Sequence, residues 1–439
     1  MKRNPYDQVL YRTFPRRQTH PERLAAIASL FGMRPADVTR CRVLELGCGS
    51  GGNLVPLAYT LPESSFTGID LARKAVAAAS RMSGALKLRN LHLRVGDLRD
   101  LRADHTGFDF ILAHGLYSWI PEEAREALLE LCGKLLAPHG VAFISYNAYP
   151  GSYERQMFRE ILLRRGDDLR RARDFLRGVS HPEAAALADS PDDILFHDIL
   201  APVNHPMWFA DFVAHAGRHG LQYLGEADFH DMFDEAGRLM DEAGEQERDY
   251  RQLRRFRQTL LCREEVRLRR QVRPQQMDRF LFSNNRHGRR LAGEDAAVEA
   301  VAQALEDVYP LPVQFEELVP YAGSRGALRE ILIAMLAAGC ADLHVHDFPC
   351  QDSVTPRPCA SRLARHQAQS GRLVTNLAHL PVELDEAGRR LLLLLDGRRG
   401  IEGLARALAA IPRAGRLEEI RRALPGSLEW MASMALLEG

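Results

Sequence analysis

The chain has 439 residues, too many for one ordinary core, so two to four domains are expected at roughly 150 residues apiece. Its 58 basic and 58 acidic residues cancel, which gives no reason to expect a nucleic-acid partner. No apolar run is long enough to span a bilayer, no signal peptide opens the chain, and the seven cysteines contain no CxxC pair. A cytoplasmic protein with no membrane insertion, no disulfide framework and no metal is therefore expected.

Thr19-His20-Pro21-Glu22 reads as a capping box with proline in the first turn, and it starts a helix that runs to about Leu30. Residues 41–46, 65–69, 91–95, 108–113 and 141–146 read as buried strands, while 53–60, 72–82 and 122–136 carry helical spacing. This alternation predicts an α/β fold with a parallel sheet covered on both faces. Residues 152–200 break it with a charged helical stretch, an insertion over about 152–205. Strands resume at 221–227 and 256–263, so the first domain is expected to span 1–270. Residues 295–348 show three helix-like segments and a short strand at 341–346, a winged-helix-like pattern for a middle domain over 271–350. Prolines at 349, 356 and 358 mark 349–370 as a connection, and 371–439 form a small last domain.

The chemistry concentrates in Glu-Leu-Gly-Cys-Gly-Ser-Gly-Gly-Asn at 45–53. Glycines where a buried strand turns into a helix permit a tight turn and a close backbone approach to a ligand. Gly47, Gly49 and Gly52 also satisfy GxGxxG, which suits a dinucleotide equally well. Three carboxylates decide the matter. Glu45 precedes the glycines, where it would repel a pyrophosphate and attract an ammonium group. Asp70 ends the second strand, in place for ribose hydroxyls, with Leu71 beside it. Asp97 ends the third strand beside Leu98, in place for an adenine amino group and its ring. The expected ligand is S-adenosylmethionine, held by Glu45, Gly47, Cys48, Gly49, Gly51, Asn53, Asp70, Leu71, Asp97, Leu98 and His114.

The order of these motifs resembles that of the class I methyltransferases. Tyr-Asp-Gln-Val-Leu-Tyr at 6–11, Thr-His-Pro at 19–21, the loop at 44–53, His-Gly-Leu-Tyr-Ser-Trp-Ile at 114–120 and Ser-Tyr-Asn-Ala-Tyr-Pro-Gly at 145–151 are similar to one bacterial subgroup. That subgroup carries an attached regulatory domain and includes the rickettsial outer-membrane-protein lysine methyltransferases. Asn-His-Pro at 204–206 and Phe-Arg-Gln-Thr-Leu-Leu-Cys-Arg at 256–263 extend the likeness. The resemblance implies a Rossmann-like seven-stranded methyltransferase sheet followed by winged-helix-like α+β modules. It also implies that Tyr6 and Tyr11 close over the cofactor.

On the acceptor side, His114, Tyr117 and Trp119 follow the fourth strand, and Tyr146 and Tyr149 follow the fifth. Both loops lie at the carboxyl ends of parallel strands, the usual ligand face of such a sheet. Aromatic walls there would attract a sulfonium or a methylated ammonium. These five are the candidate catalytic residues. The leading expectation is methylation of a protein or peptide on lysine, with 152–200 serving substrate binding or a homodimer contact. A small-molecule methyltransferase is the alternative, and a cofactor-sensing or DNA-binding regulator is a third. His344-Val345-His346 places two imidazoles on one strand face, but without further ligands it reads as a plain strand.

Overall fold

The computed structural model describes residues 13–101, 107–285, 295–351, 353–411 and 415–438. Seven strands form one sheet: β1 (Arg42–Leu46), β2 (Ser65–Asp70), β3 (Leu91–Val95), β4 (Phe108–Ala113), β5 (Leu136–Asn147), β6 (Leu221–Glu226) and β7 (Phe256–Arg263). Their spatial order is β3-β2-β1-β4-β5-β7-β6. The first five pair in parallel, as the alternation predicts. β7 instead runs antiparallel to both β5 and β6, a reversal that a strand buried on both faces does not reveal in its sequence.

Helices α1 (Pro21–Leu30), α2 (Leu54–Thr60), α3 (Arg73–Leu86) and α4 (Glu122–Leu135) accompany the first five strands. α3 buries Ala75, Val76, Ala79, Ser83 and Leu86, a three- and four-residue spacing that lays one stripe on the sheet. The insertion folds into α5 (Tyr153–Arg165), α6 (Leu169–Arg177), α7 (Pro182–Ala188) and α8 (Asp192–Ile194) around its own small core of Phe158, Leu162, Leu176 and Leu187. α9 (Phe209–Gly217) and α10 (Glu242–Gln252) accompany the last two strands.

β8 (Leu281–Asn284), α11 (Ala296–Asp307), β9 (Val313–Gln314), α12 (Phe315–Ala322), α13 (Arg325–Ala337) and β10 (Ala341–His344) build the middle unit, whose three strands lie in the order β10-β8-β9. Its apolar residues, among them Phe282, Leu305 and Leu332, join one continuous core with Leu24, Phe31 and Phe229 of the first domain. The last unit comprises β11 (Cys359–Ala360), α14 (Arg362–Ala368), β12 (Leu373–Thr375), β13 (Pro381–Glu383), α15 (Glu386–Leu394), α16 (Ile401–Ala409), α17 (Leu417–Ser433) and β14 (Leu437–Glu438). It has a core of its own, with Val374, Leu391, Leu404 and Leu428. Among the described residues, no helix is long and apolar enough to cross a membrane.

α1 is the keystone between the sheet and the middle unit, and it is buried on nearly every face. Its charges are therefore matched internally. Arg23 donates to Asp342 of β10 at 2.8 Å, and Arg17 reaches the other oxygen of the same carboxylate at 2.5 Å. These two guanidinium groups hold the Asp342 carboxyl well below its usual range despite its burial. Glu22 meets His344 at 3.0 Å. The cap differs from the sequence expectation: the His20 side chain accepts from the Glu22 amide, while Thr19 donates its hydroxyl to the Arg16 carbonyl and to Asn53.

Candidate active site

Parallel pairing of β1 with β2 sets Leu46 opposite Ile69, so the loop after β1 and the end of β2 emerge side by side at the carboxyl edge. Gly47, Gly49 and Gly51 have φ of 78°, 51° and 76°, in the region that favours glycine, and the loop curls back over Asp70. The Asp70 carboxylate accepts from the Gly49 amide at 2.8 Å and the Ala72 amide at 2.7 Å. Between this loop and the ends of β3 and β4 lies a cleft of about 310 Å³, at the small end of the roughly 300–1,000 Å³ typical of small-molecule sites.

Glu45, Gly47, Cys48, Gly49, Asn53, Asp70, Leu71, Asp97, Leu98, His114 and Trp119 of the expected residues all line that cleft. Gly51 does not. A Cβ there would strike Val55 and Ala79, so this glycine serves the packing of α2 on α3. Tyr6 and Tyr11 lie outside the described residues.

Glu45 is 4% exposed. Its Oε1 accepts from Asn53 Nδ2 at 2.8 Å, but its Oε2 is buried and has no hydrogen-bond partner. Burial pushes this carboxyl up to about 7, with the neighbouring Asp70 charge adding to the effect. An unpaired buried carboxylate oxygen facing a cleft fits a cationic ligand group. Asp97 lines the cleft as expected, but its carboxylate is already engaged. Both of its oxygens are taken by the Arg99 guanidinium, at 2.6 and 3.0 Å, which holds the carboxyl below its usual range. Apolar side chains of Ile69, Leu71, Leu98 and Ile120 supply flat surface in the same cleft.

Residues that sequence reasoning did not single out complete the site. Asn53 Oδ1 accepts from the Arg16 amide (3.0 Å), the Thr19 hydroxyl (3.0 Å) and His379 Nε2 (2.9 Å), so a residue of the last unit supports the side chain that orients Glu45. Thr13 accepts from the Gly52 amide at 2.9 Å and meets the Ser50 hydroxyl at 2.7 Å. A Cβ on Gly52 would be driven into the Thr13 carbonyl oxygen, so the segment before α1 roofs the loop directly. Arg16 lines the cleft with an exposed side chain. The glycine at 52 was the one local sign that something passes close overhead.

The acceptor-side residues divide into two groups. His114 and Trp119 line the cleft. Burial, with a smaller push from the Arg16 cation, lowers His114 to about 3, so its imidazole is neutral near pH 7. It lies 3.2 Å from the Ser145 hydroxyl and edge-on to the exposed Phe256 ring. Tyr117 and Tyr146 do not reach the cleft. Side chains alternate along β5, so Ser145 faces His114 and Tyr146 faces the opposite layer. There Tyr146 stacks on Phe212 at 4.2 Å, and Tyr117 packs edge-on to the same ring with its hydroxyl 2.6 Å from His215 Nδ1. Burial raises both phenols well above their usual range. Beneath Tyr146, the fully buried Arg257 is matched by Glu226, Glu245 and Asp249 at 2.7–3.1 Å. Tyr149 stands in a more open aromatic group, stacked on Tyr153 at 4.4 Å and beside Trp208 at 5.4 Å, with Tyr250 beyond.

Comparison with known proteins agrees with this geometry. Residues 43–140 match the family described as a methyltransferase domain, and 191–263 match the "predicted methyltransferase regulatory domain". Residues 356–423 match the "PKMT, C-terminal winged helix domain", which lies in the last unit, after the stretch whose sequence suggested a winged helix. An uncharacterised protein of Rickettsia prowazekii is 26% identical over 99% of this chain and 94% of its own length. A second one from the same organism is 29% identical over 50% of this chain and 96% of its own length. The solved structure of PKMT2 from Rickettsia typhi in complex with AdoHcy superposes with a TM-score of 0.83, covering 98% of this chain and 100% of that one at 24% identity, which shows a shared fold. The chain is an S-adenosylmethionine-dependent methyltransferase whose segments match a methyltransferase domain, a methyltransferase regulatory domain and a PKMT winged-helix domain.

Proposed function

We propose that the acceptor is a protein and that the methylated group is a lysine side chain. The observation that carries this reading is the last unit, which matches a winged-helix domain found in protein lysine methyltransferases and reaches the cofactor-side carboxylate through His379 and Asn53. A small acceptor needs only a lid, and a module of this size wired into the site favours a large one. The relative named PKMT2, which shares the fold over nearly the whole chain, supports the same reading.

In this reading Glu45 takes the methionyl ammonium with its unpaired oxygen, and Arg16 takes the methionyl carboxylate. Asp70 receives ribose hydroxyls. Leu71, Leu98 and Ile120 sandwich the adenine. Asp97 is pinned by Arg99 and serves the cleft wall. When bound, S-adenosylmethionine would supply an electrophilic methyl carbon open to in-line attack by an amine, with S-adenosylhomocysteine as the leaving group. The chain's task is then to hold a neutral lysine amine about 3 Å from that carbon and to exclude water. His114 is neutral and too weak a base to store the proton, so the lysine sheds it to solvent before attack, helped by an apolar, cation-bearing site that disfavours an ammonium. His114 and Trp119 wall the transfer point, and the Tyr149 group is a second aromatic surface for the approaching segment. We also propose a division into units at 1–270, 271–350 and 359–438, the first two sharing a core and the last starting before the expected residue 371 because β11 and α14 belong to its core.

Incubating the chain with tritiated S-adenosylmethionine and bacterial lysate, then separating by size, tests the acceptor. Label is expected in protein, and acid hydrolysis should yield methyl-lysines. Label confined to small molecules would overturn the proposal.

A further inference from the structure

Beyond the cleft lining, which α4 joins at Ala124, Glu126 of the same helix stands between two imidazoles. Its Oε1 lies 3.0 Å from His215 Nε2, and its Oε2 lies 2.9 Å from His219 Nε2. His215 lies in the last turn of α9 and His219 in the turn that follows it, and both rings reach Glu126. All three donor atoms fall within 4.8 Å of one another. We propose that Glu126, His215 and His219 form a binding site for a divalent transition-metal ion of the zinc type, distinct from the methyl-transfer cleft.

The donor set and its spacing fit. Zinc binds imidazole nitrogen and carboxylate oxygen at about 2.0–2.2 Å, which separates tetrahedral ligands by roughly 3.3 Å. Each histidine faces its own oxygen of Glu126, so the two distances need widen by only a few tenths of an ångström if the carboxylate binds through both oxygens; if it binds through one, the three donor atoms, within 4.8 Å of one another, must draw closer. Three protein ligands leave one position for water.

Two further observations favour a metal over a simple hydrogen-bonded cluster. The His215 side chain is 7% exposed, and its Nε2, though close to Glu126, makes no aligned hydrogen bond. Its other nitrogen, Nδ1, lies 2.6 Å from the Tyr117 hydroxyl. A metal-ligating histidine characteristically gives its second ring N–H to an oxygen, which fixes the tautomer and aims the bare lone pair at the ion. Tyr117, which does not reach the cleft, thereby acquires a role in orienting a ligand. One group competes: Arg218 Nη2 approaches Glu126 Oε1 at 3.4 Å, but its side chain is 63% exposed and free to swing into solvent when an ion arrives.

The test is a Zn²⁺ titration of the tag-free full-length chain by calorimetry, with thermal denaturation in parallel. One equivalent is expected, with Tm rising on addition of Zn²⁺. Glu126→Gln and His219→Ala should each weaken binding by roughly 10–100-fold or more, and the metal-free melting temperature of each variant reports whether it folds. Arg218→Ala should bind Zn²⁺ more tightly than the parent, which a merely structural cluster would not do. Absence of a bound equivalent, or its retention at unchanged affinity in either ligand variant, overturns the proposal. The readout is independent of methyl transfer, so its failure leaves the acceptor assignment untouched.

Discussion

His379 Nε2 lies 2.9 Å from Asn53 Oδ1, and Asn53 in turn donates to Glu45 at 2.8 Å. A histidine of the last unit thus steadies the carboxylate that faces the cofactor cleft. Burial holds this imidazole at about 3, so it is neutral and acts as a plain donor. Asn53→Ala would leave both Glu45 oxygens buried without partners, a loss of about 1–3 kcal/mol. Calorimetry should show S-adenosylhomocysteine bound roughly 10–100-fold more weakly. His379→Phe keeps the volume but removes the donor, and a smaller weakening of about 3–10-fold is expected for one lost neutral hydrogen bond. Unchanged affinity in both variants would refute the coupling.

Glu45 must be ionised to hold an ammonium, yet in the empty cleft it titrates near 7. Ligand binding should therefore improve as pH rises. Between pH 6 and 8 the dissociation constant of S-adenosylhomocysteine should fall by about tenfold and then level off. Glu45→Gln should bind weakly and lose that pH dependence.

The same shift has a consequence for stability. A carboxyl whose folded pKa is raised above its unfolded value binds its proton more tightly in the native state. Its contribution is fully favourable below the unfolded pKa of about 4.5 and is lost as pH climbs through about 7. Ligand-free Glu45→Gln should then be more stable than the parent at pH 8, by about 1–3 kcal/mol, while gaining less Tm from ligand. Denaturant melts at pH 5 and pH 8 check the sign.

Gly52 lies against the Thr13 carbonyl with no room for a methyl group. Gly52→Ala should push the roofing segment off the loop and break the bond from the Gly52 amide to the Thr13 hydroxyl. A stability loss of about 1–3 kcal/mol is expected. Limited proteolysis near residue 13 should become faster. Gly84→Ala, where nothing lies within 4 Å, is the matched control and should be neutral or stabilising in its helix.

Arg257→Met would take the central cation from Glu226, Glu245 and Asp249 in the interior, leaving Arg254 and the neutral donors Tyr223, Gln258 and Thr259 to face them. Removing one partner of such a buried cluster costs about 3–5 kcal/mol. Thermal denaturation should show a large drop in Tm, and because Tyr146 packs over this cluster, ring-current NMR shifts of Phe212 should change with it.

Most of the sheet was legible in the sequence, because a buried strand announces itself as a short apolar run. The direction of β7 was not, since a run buried on both faces reads alike in either sense. The cofactor side was legible because Glu45, the glycines and Asp70 belong to adjacent strand ends. The acceptor side was read only in part. Proximity to a strand end does not say which face a side chain takes, and the two-residue period of β5 turns Ser145 toward His114 and Tyr146 away. Asp97 was placed correctly at the cleft, but its Arg99 partner two residues on was overlooked. Long-range partners left no local trace. Nothing near residue 379 points to Asn53, 326 positions earlier.

The burial of α1 also sets an order of events during synthesis. Glu22 and Arg23 leave the ribosome well before their partners His344 and Asp342, which are made 322 and 319 residues later. Until β10 emerges, the nascent helix would carry charges it cannot bury, so it must stay wet and undocked. The domain that holds the cofactor cannot close on its own schedule. A ribosome-stalled chain ending before residue 340 should accordingly leave the segment around α1 open to protease, and release to full length should seal it.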